Sequence, residues 1–161
     1  MNASDAAALR RRWLLGIAAA CILGVAAALV AQYRFDMRPC PWCILQRFIY
    51  VVIAVVALVG ALARPLQRPA GALVALLAAA GIGSAIYQNV VAARQFSCDL
   101  TAADRVITAL RLESIAPALF QVTASCADAA VSMLHVPFEF WSLALYLLVG
   151  AAALRVALRR A

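Results

Sequence analysis

Four stretches of about twenty mostly apolar residues, at about 13–33, 44–63, 71–93 and 140–158, constrain this chain more than any other feature. A helix of that length crosses a hydrocarbon core of ~30 Å. Lipid leaves only helices and closed barrels as ways to satisfy a backbone, and the runs lack the alternation of a barrel strand. The predicted fold class is therefore an all-α membrane protein, a four-transmembrane-helix bundle forming a single membrane domain over residues 1–161. Charged residues make up only 13% of the chain, and its mean hydropathy is +0.95. A soluble domain carries about 25% charged residues.

The arginines then orient the bundle. With four spans, the N-terminus, the short connection at 64–70 and the C-terminus share one side. That side holds Arg10, Arg11, Arg12, Arg64, Arg68, Arg155, Arg159 and Arg160 against Asp5 alone. On the other side Arg34, Arg38, Arg47, Arg94, Arg105 and Arg111 are balanced by Asp36, Asp99, Asp104, Glu113, Asp128 and Glu139. The whole net charge of +7 thus falls on one face, which the positive-inside rule makes cytoplasmic. The basic balance reflects topology and anionic headgroups, not nucleic acid. Arg10–Arg12 also make a passable signal-peptide n-region, but the apolar run behind them exceeds the usual 7–15 residues.

Under this topology four of the five cysteines lie on the outer side. Cys40 and Cys43 occupy the connection at 34–43, and Cys98 and Cys126 the long connection at 94–139. Disulfides persist on such a face, although spacing alone does not say which cysteines pair. Cys21 lies inside the first span and reads as a buried thiol behaving as a small hydrophobe.

Cys40–Pro41–Trp42–Cys43 stands where the outer connection enters the second span. With Cys40 as N-cap, Pro41 takes the first helical position, where its missing N–H costs nothing. Cys43 then falls in the first turn, beside unpaired N–H groups and the positive end of the helix dipole. Such a site stabilises the thiolate, the reactive form of cysteine. Arg47 follows one turn deeper on the same face. A cation there needs a reason, such as a thiolate or a polar ligand, unless it snorkels to the headgroups. A static CxxC clip is the bland alternative. Zinc held by the four cysteines is disfavoured by the 27 residues between Cys98 and Cys126, since structural zinc sites usually use two close-spaced pairs.

The long connection is of a length that is often functional. Its middle, residues 115–122, is expected to form a short interfacial helix. A bond between Cys98 and Cys126 would close a loop worth about 3–4 kcal/mol on the chain-entropy model, so a purely structural bond is a serious alternative for that pair. Their polar settings, Ser97–Cys98–Asp99 and Ser125–Cys126–Ala127–Asp128, fit exchangeable bonds better. The third span is rich in Ala and Gly, which suits close helix packing. Tyr87, Gln88 and Asn89 near its outer end are candidates for lining a ligand pocket, with interfacial anchoring as the alternative for Tyr87. His135 and Glu139 read as interfacial loop residues.

In order along the chain, Pro39–Cys40–x–x–Cys43 with Arg47, Phe96–Ser97–Cys98–Asp99, Cys126–Ala127–Asp128 and Trp141–Ser142 resemble the DsbB family, disulfide bond formation proteins of bacterial inner membranes. The resemblance covers nearly the whole chain. It implies a quinone-dependent protein thiol:disulfide oxidoreductase, with disulfides Cys40–Cys43 and Cys98–Cys126 as its redox-active centre. Cys98 would exchange with a DsbA-type periplasmic thiol oxidase, Cys126 would then react with Cys40, and Cys43 would pass electrons to ubiquinone or menaquinone beside Arg47. Tyr87 and Asn89 would be further quinone-pocket residues. The cysteine connections would be periplasmic and both termini cytoplasmic. A DsbA–DsbB–quinone route keeps the bacterial periplasm oxidising; that general fact comes with the resemblance and not from these residues. DsbA, at about −120 mV, needs an acceptor of still higher potential, which a quinone supplies.

Three features depart from the family pattern. The dipeptide inside the CxxC is Pro–Trp where an apolar pair is expected, Asn89 falls near a position held by His in some members, and lysine is absent. A vitamin K epoxide reductase-like enzyme is the alternative in the same class, but there the loop pair typically precedes the CxxC. A non-catalytic membrane scaffold with two inert disulfides is the alternative outside it.

Overall fold

The computed structural model describes residues 3–92, 101–125, 127–128, 132–133 and 136–159. Helix α1 spans Ala3–Phe35, α2 Pro41–Leu62 and α3 Gln67–Val90, with a single 3-10 turn, Arg64–Leu66, between the last two. Three short helices follow: α4 at Ala102–Ala109, α5 at Leu112–Ile115 and α6 at Pro117–Phe120. Two-residue strands β1, Ser132–Met133, and β2, Val136–Pro137, pair antiparallel and lead into α7, Phe138–Leu158. Among the described residues, four segments are long and apolar enough to cross a membrane: Ser4–Phe35, Pro41–Leu62, Arg64–Val90 and Glu139–Leu158. The all-α membrane class stands.

Local chemistry sets the boundaries. After α1, Asp36 takes a left-handed φ of 51°, which a short polar side chain tolerates. Met37 N–H then bonds back to the Ala31 carbonyl at 3.2 Å. Ala63 turns extended ahead of Arg64–Pro65 and stops α2. Pro69 is harmless in the first turn of α3, where its missing N–H has no helical partner to lose.

Helix α2 packs between α1 and α3, while α7 closes the bundle against α3 and α1. Leu14, Ile17, Ile53, Val74, Tyr146, Val149 and Val156 form its centre. Small residues bring the helices close, as lipid-embedded packing requires. A Cβ at Gly81 would overlap the Tyr146 ring. That ring stacks on Tyr50 at 4.2 Å and 7°, and its hydroxyl donates to the Gln46 carbonyl at 2.9 Å. One tyrosine of α7 thus fits a notch in α3 and grips α2.

The long connection caps one end of the bundle. Ile107, Leu112 and Phe120 gather on Ile44 of α2. The single helix expected at 115–122 is instead broken at Ala116, whose φ and ψ of −147° and 75° lie outside the helical region, which proline disfavours for its predecessor. The most regular piece is α4, opened by a capping box in which Thr101 accepts from Asp104 N–H and the Asp104 carboxylate accepts from Thr101 N–H. That pattern, Thr-x-x-Asp, was readable in the sequence.

Candidate redox site at the start of the second helix

Cys40 takes the N-cap of α2 in an extended conformation, and its sulfur accepts from Cys43 N–H at 3.4 Å. Pro41 follows at the first helical position. The two sulfurs stand 2.9 Å apart. Cys40 is fully buried against Trp42, Ala92 and Ala103, whereas Cys43 is half-buried and lines a cavity of about 220 Å³. Trp42 turns the other way and meets the Tyr87 ring at 4.7 Å.

The cavity lies between α1, α2, α3 and α7. Gly24, Val25, Ala27 and Ala28 form its α1 wall, and Trp141 and Leu145 part of its α7 wall. Against this apolar lining converge Cys43, Gln46, Arg47, Tyr50, Gln88, Glu139 and Ser142. An apolar pocket with a few convergent polar groups is the usual form of a small-molecule site.

Arg47 does not snorkel. It is buried, and its guanidinium donates to Gln32 Oε1 at 2.7 Å, the Leu119 carbonyl at 3.1 Å and the Ala28 carbonyl at 3.3 Å. Three of the five N–H groups of a guanidinium are thereby used to tie α2 to α1 and α6. Among the described residues no carboxylate pairs with it, so it brings positive charge to the wall shared with Cys43.

A chain of side-chain bonds runs inward from the sulfur. Gln88 Nε2 donates to Cys43 Sγ at 3.3 Å, and Gln88 Oε1 accepts from Gln46 Nε2 at 2.7 Å. Gln46 Oε1 accepts from the Ser142 hydroxyl at 2.6 Å, which lies 3.0 Å from the Tyr50 hydroxyl. Of the three consecutive candidates on α3, Gln88 faces the cavity. Tyr87 lies beside Trp42, and Asn89 reaches the rim only by donating to Glu139 Oε1 at 2.8 Å. Helical periodicity allows one inward residue of the three. Glu139, read from the sequence as a loop residue, is buried in the first turn of α7. Gln46, Tyr50 and Ser142 were not singled out as pocket residues, although polar groups inside apolar runs are the signal that finds them.

Cys21 is fully buried in the bundle centre, away from the cavity. Cys98, Cys126, their expected bond and His135 lie outside the described residues. The segment just before Cys126 is nevertheless fastened to the CxxC: Thr123 and Ala124 N–H both donate to the Pro39 carbonyl, at 3.1 and 3.3 Å. Ala124 also packs against the group around Cys40.

Comparison with known proteins identifies the family of the chain. A family profile for the disulfide bond formation protein DsbB matches residues 10–156. Disulfide bond formation protein B of Burkholderia pseudomallei (strain K96243) is 34% identical over 146 residues, 87% of this chain and 85% of that protein. Disulfide bond formation protein B 1 of Pseudomonas syringae pv. syringae is 32% identical over 144 residues, covering 87% and 85%. Disulfide bond formation protein B of Herminiimonas arsenicoxydans is 28% identical over 149 residues, covering 91% and 94%. No solved structure shows a significant match.

Proposed function

Because the chain belongs to the DsbB family of disulfide bond formation proteins, we propose that it reoxidises a DsbA-type periplasmic thiol oxidase and delivers the electrons to a membrane quinone, ubiquinone or menaquinone. The observation that carries this reading is a thiol, Cys43, on the wall of an apolar cavity beside a buried arginine. A soluble disulfide exchanger needs no such cavity at the level of the membrane.

The chain's own residues divide the work. Cys98 and Cys126 exchange with the partner dithiol, which leaves as a disulfide while they become thiols. A second exchange passes the two electrons to Cys40 and Cys43 by way of Cys126 and Cys40. The anchoring of Thr123 and Ala124 on Pro39 supports that step, since Cys126 follows Ala124 by two residues. Cys40, buried and capping α2, keeps its sulfur against Cys43. Gln88 N–H and the Arg47 charge stabilise negative charge on Cys43, and the apolar walls keep bulk water out.

The cavity fits a quinone head. Its lining is largely apolar, and Arg47 retains N–H groups beyond the three already bonded, suited to a carbonyl oxygen. Such a group, when bound, supplies a two-electron, two-proton acceptor. The family supports inner-membrane placement, and the arginine asymmetry supports cytoplasmic termini with periplasmic cysteine connections.

The test uses the purified protein, a reduced DsbA-type substrate and a short-chain quinone, followed by quinone absorbance. Reduction that disappears in Cys43→Ser and in Cys98→Ser is the expected result. A folded sample that reduces neither quinone class would overturn the proposal.

A further inference from the structure

At the end of the bundle opposite Cys40 and Cys43 lies a second cavity, of about 430 Å³, walled by the first turns of α1, the end of α2 and the α2–α3 turn. Ser4, Arg11, Arg12, Arg64 and Gln67 supply its polar lining, and no acidic residue takes part. Asp5 is the acid nearest in sequence and lies outside the wall. Among the described residues, Arg11, Arg12 and Arg64 make neither an ion pair nor a side-chain hydrogen bond. Three cations therefore surround one space, and none of the described residues lining it is an acid.

Two further features point to an anion. Ser4 lies in the first turn of α1 and Gln67 is the first residue of α3, so both helices direct their positive ends to this region. Gln67 is also 2% exposed, and Arg10 Nε donates to its Oε1 at 3.2 Å. That bond assigns the amide orientation and leaves Nε2 as a donor for which the described residues supply no acceptor. Beside the polar wall, Leu62 is 84% exposed and offers apolar surface for an acyl chain.

We propose that this cavity binds a phosphate group, that of an acidic membrane phospholipid, with Arg11, Arg12 and Arg64 as its charge partners and Gln67 as a neutral donor. Basic pockets between transmembrane helices are suited to anionic headgroups.

The test is native mass spectrometry of the whole protein in detergent with phosphatidylglycerol or phosphatidylcholine added. A cation near such a headgroup contributes about fivefold in affinity, so the wild type should retain phosphatidylglycerol at least about tenfold better. The preference should vanish in Arg11→Gln/Arg12→Gln/Arg64→Gln and survive in the triple lysine variant. It should also survive in Arg34→Gln/Arg105→Gln/Arg111→Gln, which removes the same charge at the far end. Equal retention of both lipids by the wild type, or equal loss in the two glutamine variants, overturns the site. Displacement of bound phosphatidylglycerol by millimolar inorganic phosphate overturns the lipid assignment in favour of a free anion. None of these outcomes depends on electron transfer, so this site and the redox proposal fail separately.

Discussion

Gln88 Nε2 stands 3.3 Å from Cys43 Sγ across the contact between α2 and α3, while Gln46 holds the other end of the same amide at 2.7 Å. A neutral side chain is thus fixed with its donor toward the sulfur that is to carry negative charge. Hydrogen bonds to charged groups are worth about 1.5–3 kcal/mol. Gln88→Leu is therefore expected to lower turnover with quinone by about tenfold, with the KM for the reduced protein substrate unchanged. Steady-state kinetics with each substrate varied decides the matter, and an altered protein KM at unaltered turnover would refute the role.

Arg47 ties α2 to α1 and α6, and the proposed function gives it a quinone contact as well. Arg47→Ala should raise the apparent KM for quinone more than that for the protein substrate. It should also destabilise the fold by about 1–3 kcal/mol, because three part-buried carbonyl acceptors lose their donor. Arg47→Lys should recover less than wild-type affinity, since an ammonium cannot reproduce the planar fork. Equal effects on the two KM values would remove the pocket role and leave only the structural one.

The glycines of α3 predict a contrast in stability. Gly81 faces the Tyr146 ring with no room for a Cβ, whereas a Cβ at Gly83 would meet nothing within 4 Å. Gly81→Ala should cost about 1–3 kcal/mol through overpacking. Gly83→Ala should be neutral or stabilise by up to about 1 kcal/mol from helix propensity. Thermal unfolding in one detergent compares them directly, and matching melting temperatures would contradict the packing described.

Cys21 should be dispensable for chemistry. It is buried among apolar side chains and touches neither the cavity nor the CxxC. Cys21→Ala is expected to retain quinone-linked turnover within about twofold, while a large-to-small change this modest costs about 1 kcal/mol or less. Loss of turnover in a folded Cys21→Ala protein would assign it a redox part.

The capping box of α4 offers a local test. Thr101→Ala should destabilise that helix by about 1 kcal/mol and raise amide hydrogen exchange over Ala102–Ala109, with α2 and α3 unaffected. Unchanged exchange in α4 would show that its packing on Ile44, not its cap, holds it.

Some of this was legible before the fold. Apolar runs of about twenty residues specify spans almost by length, and Cys40 followed by Pro41 marks a helix start through backbone chemistry alone. Arg47 drew attention as a charge in an apolar run, but the sequence left snorkelling open and only the structure decides for burial. The glutamine chain was harder to see. Gln46, Gln88 and Ser142 come from three helices, and their meeting depends on which helices neighbour one another and how each is rotated. Tyr87 and Asn89 were named from their place near the outer end of the span and from the family resemblance, and neither signal carries the helix rotation that turns Gln88 to the cavity instead. The break at Ala116–Pro117 was readable from proline alone, but the apolar content of residues 115–122 masked it.

The α1 wall of the redox cavity is made of what is missing. Beside Val25, the residues Ala27 and Ala28 contribute almost no side chain, and Gly24 leaves room into which Leu145 of α7 reaches. Room of this kind evolves cheaply: one added methylene narrows it without touching a sulfur, an amide or the guanidinium. On the proposed function, the size of the partner admitted to the thiol is thus set on a helix that supplies none of the reacting groups.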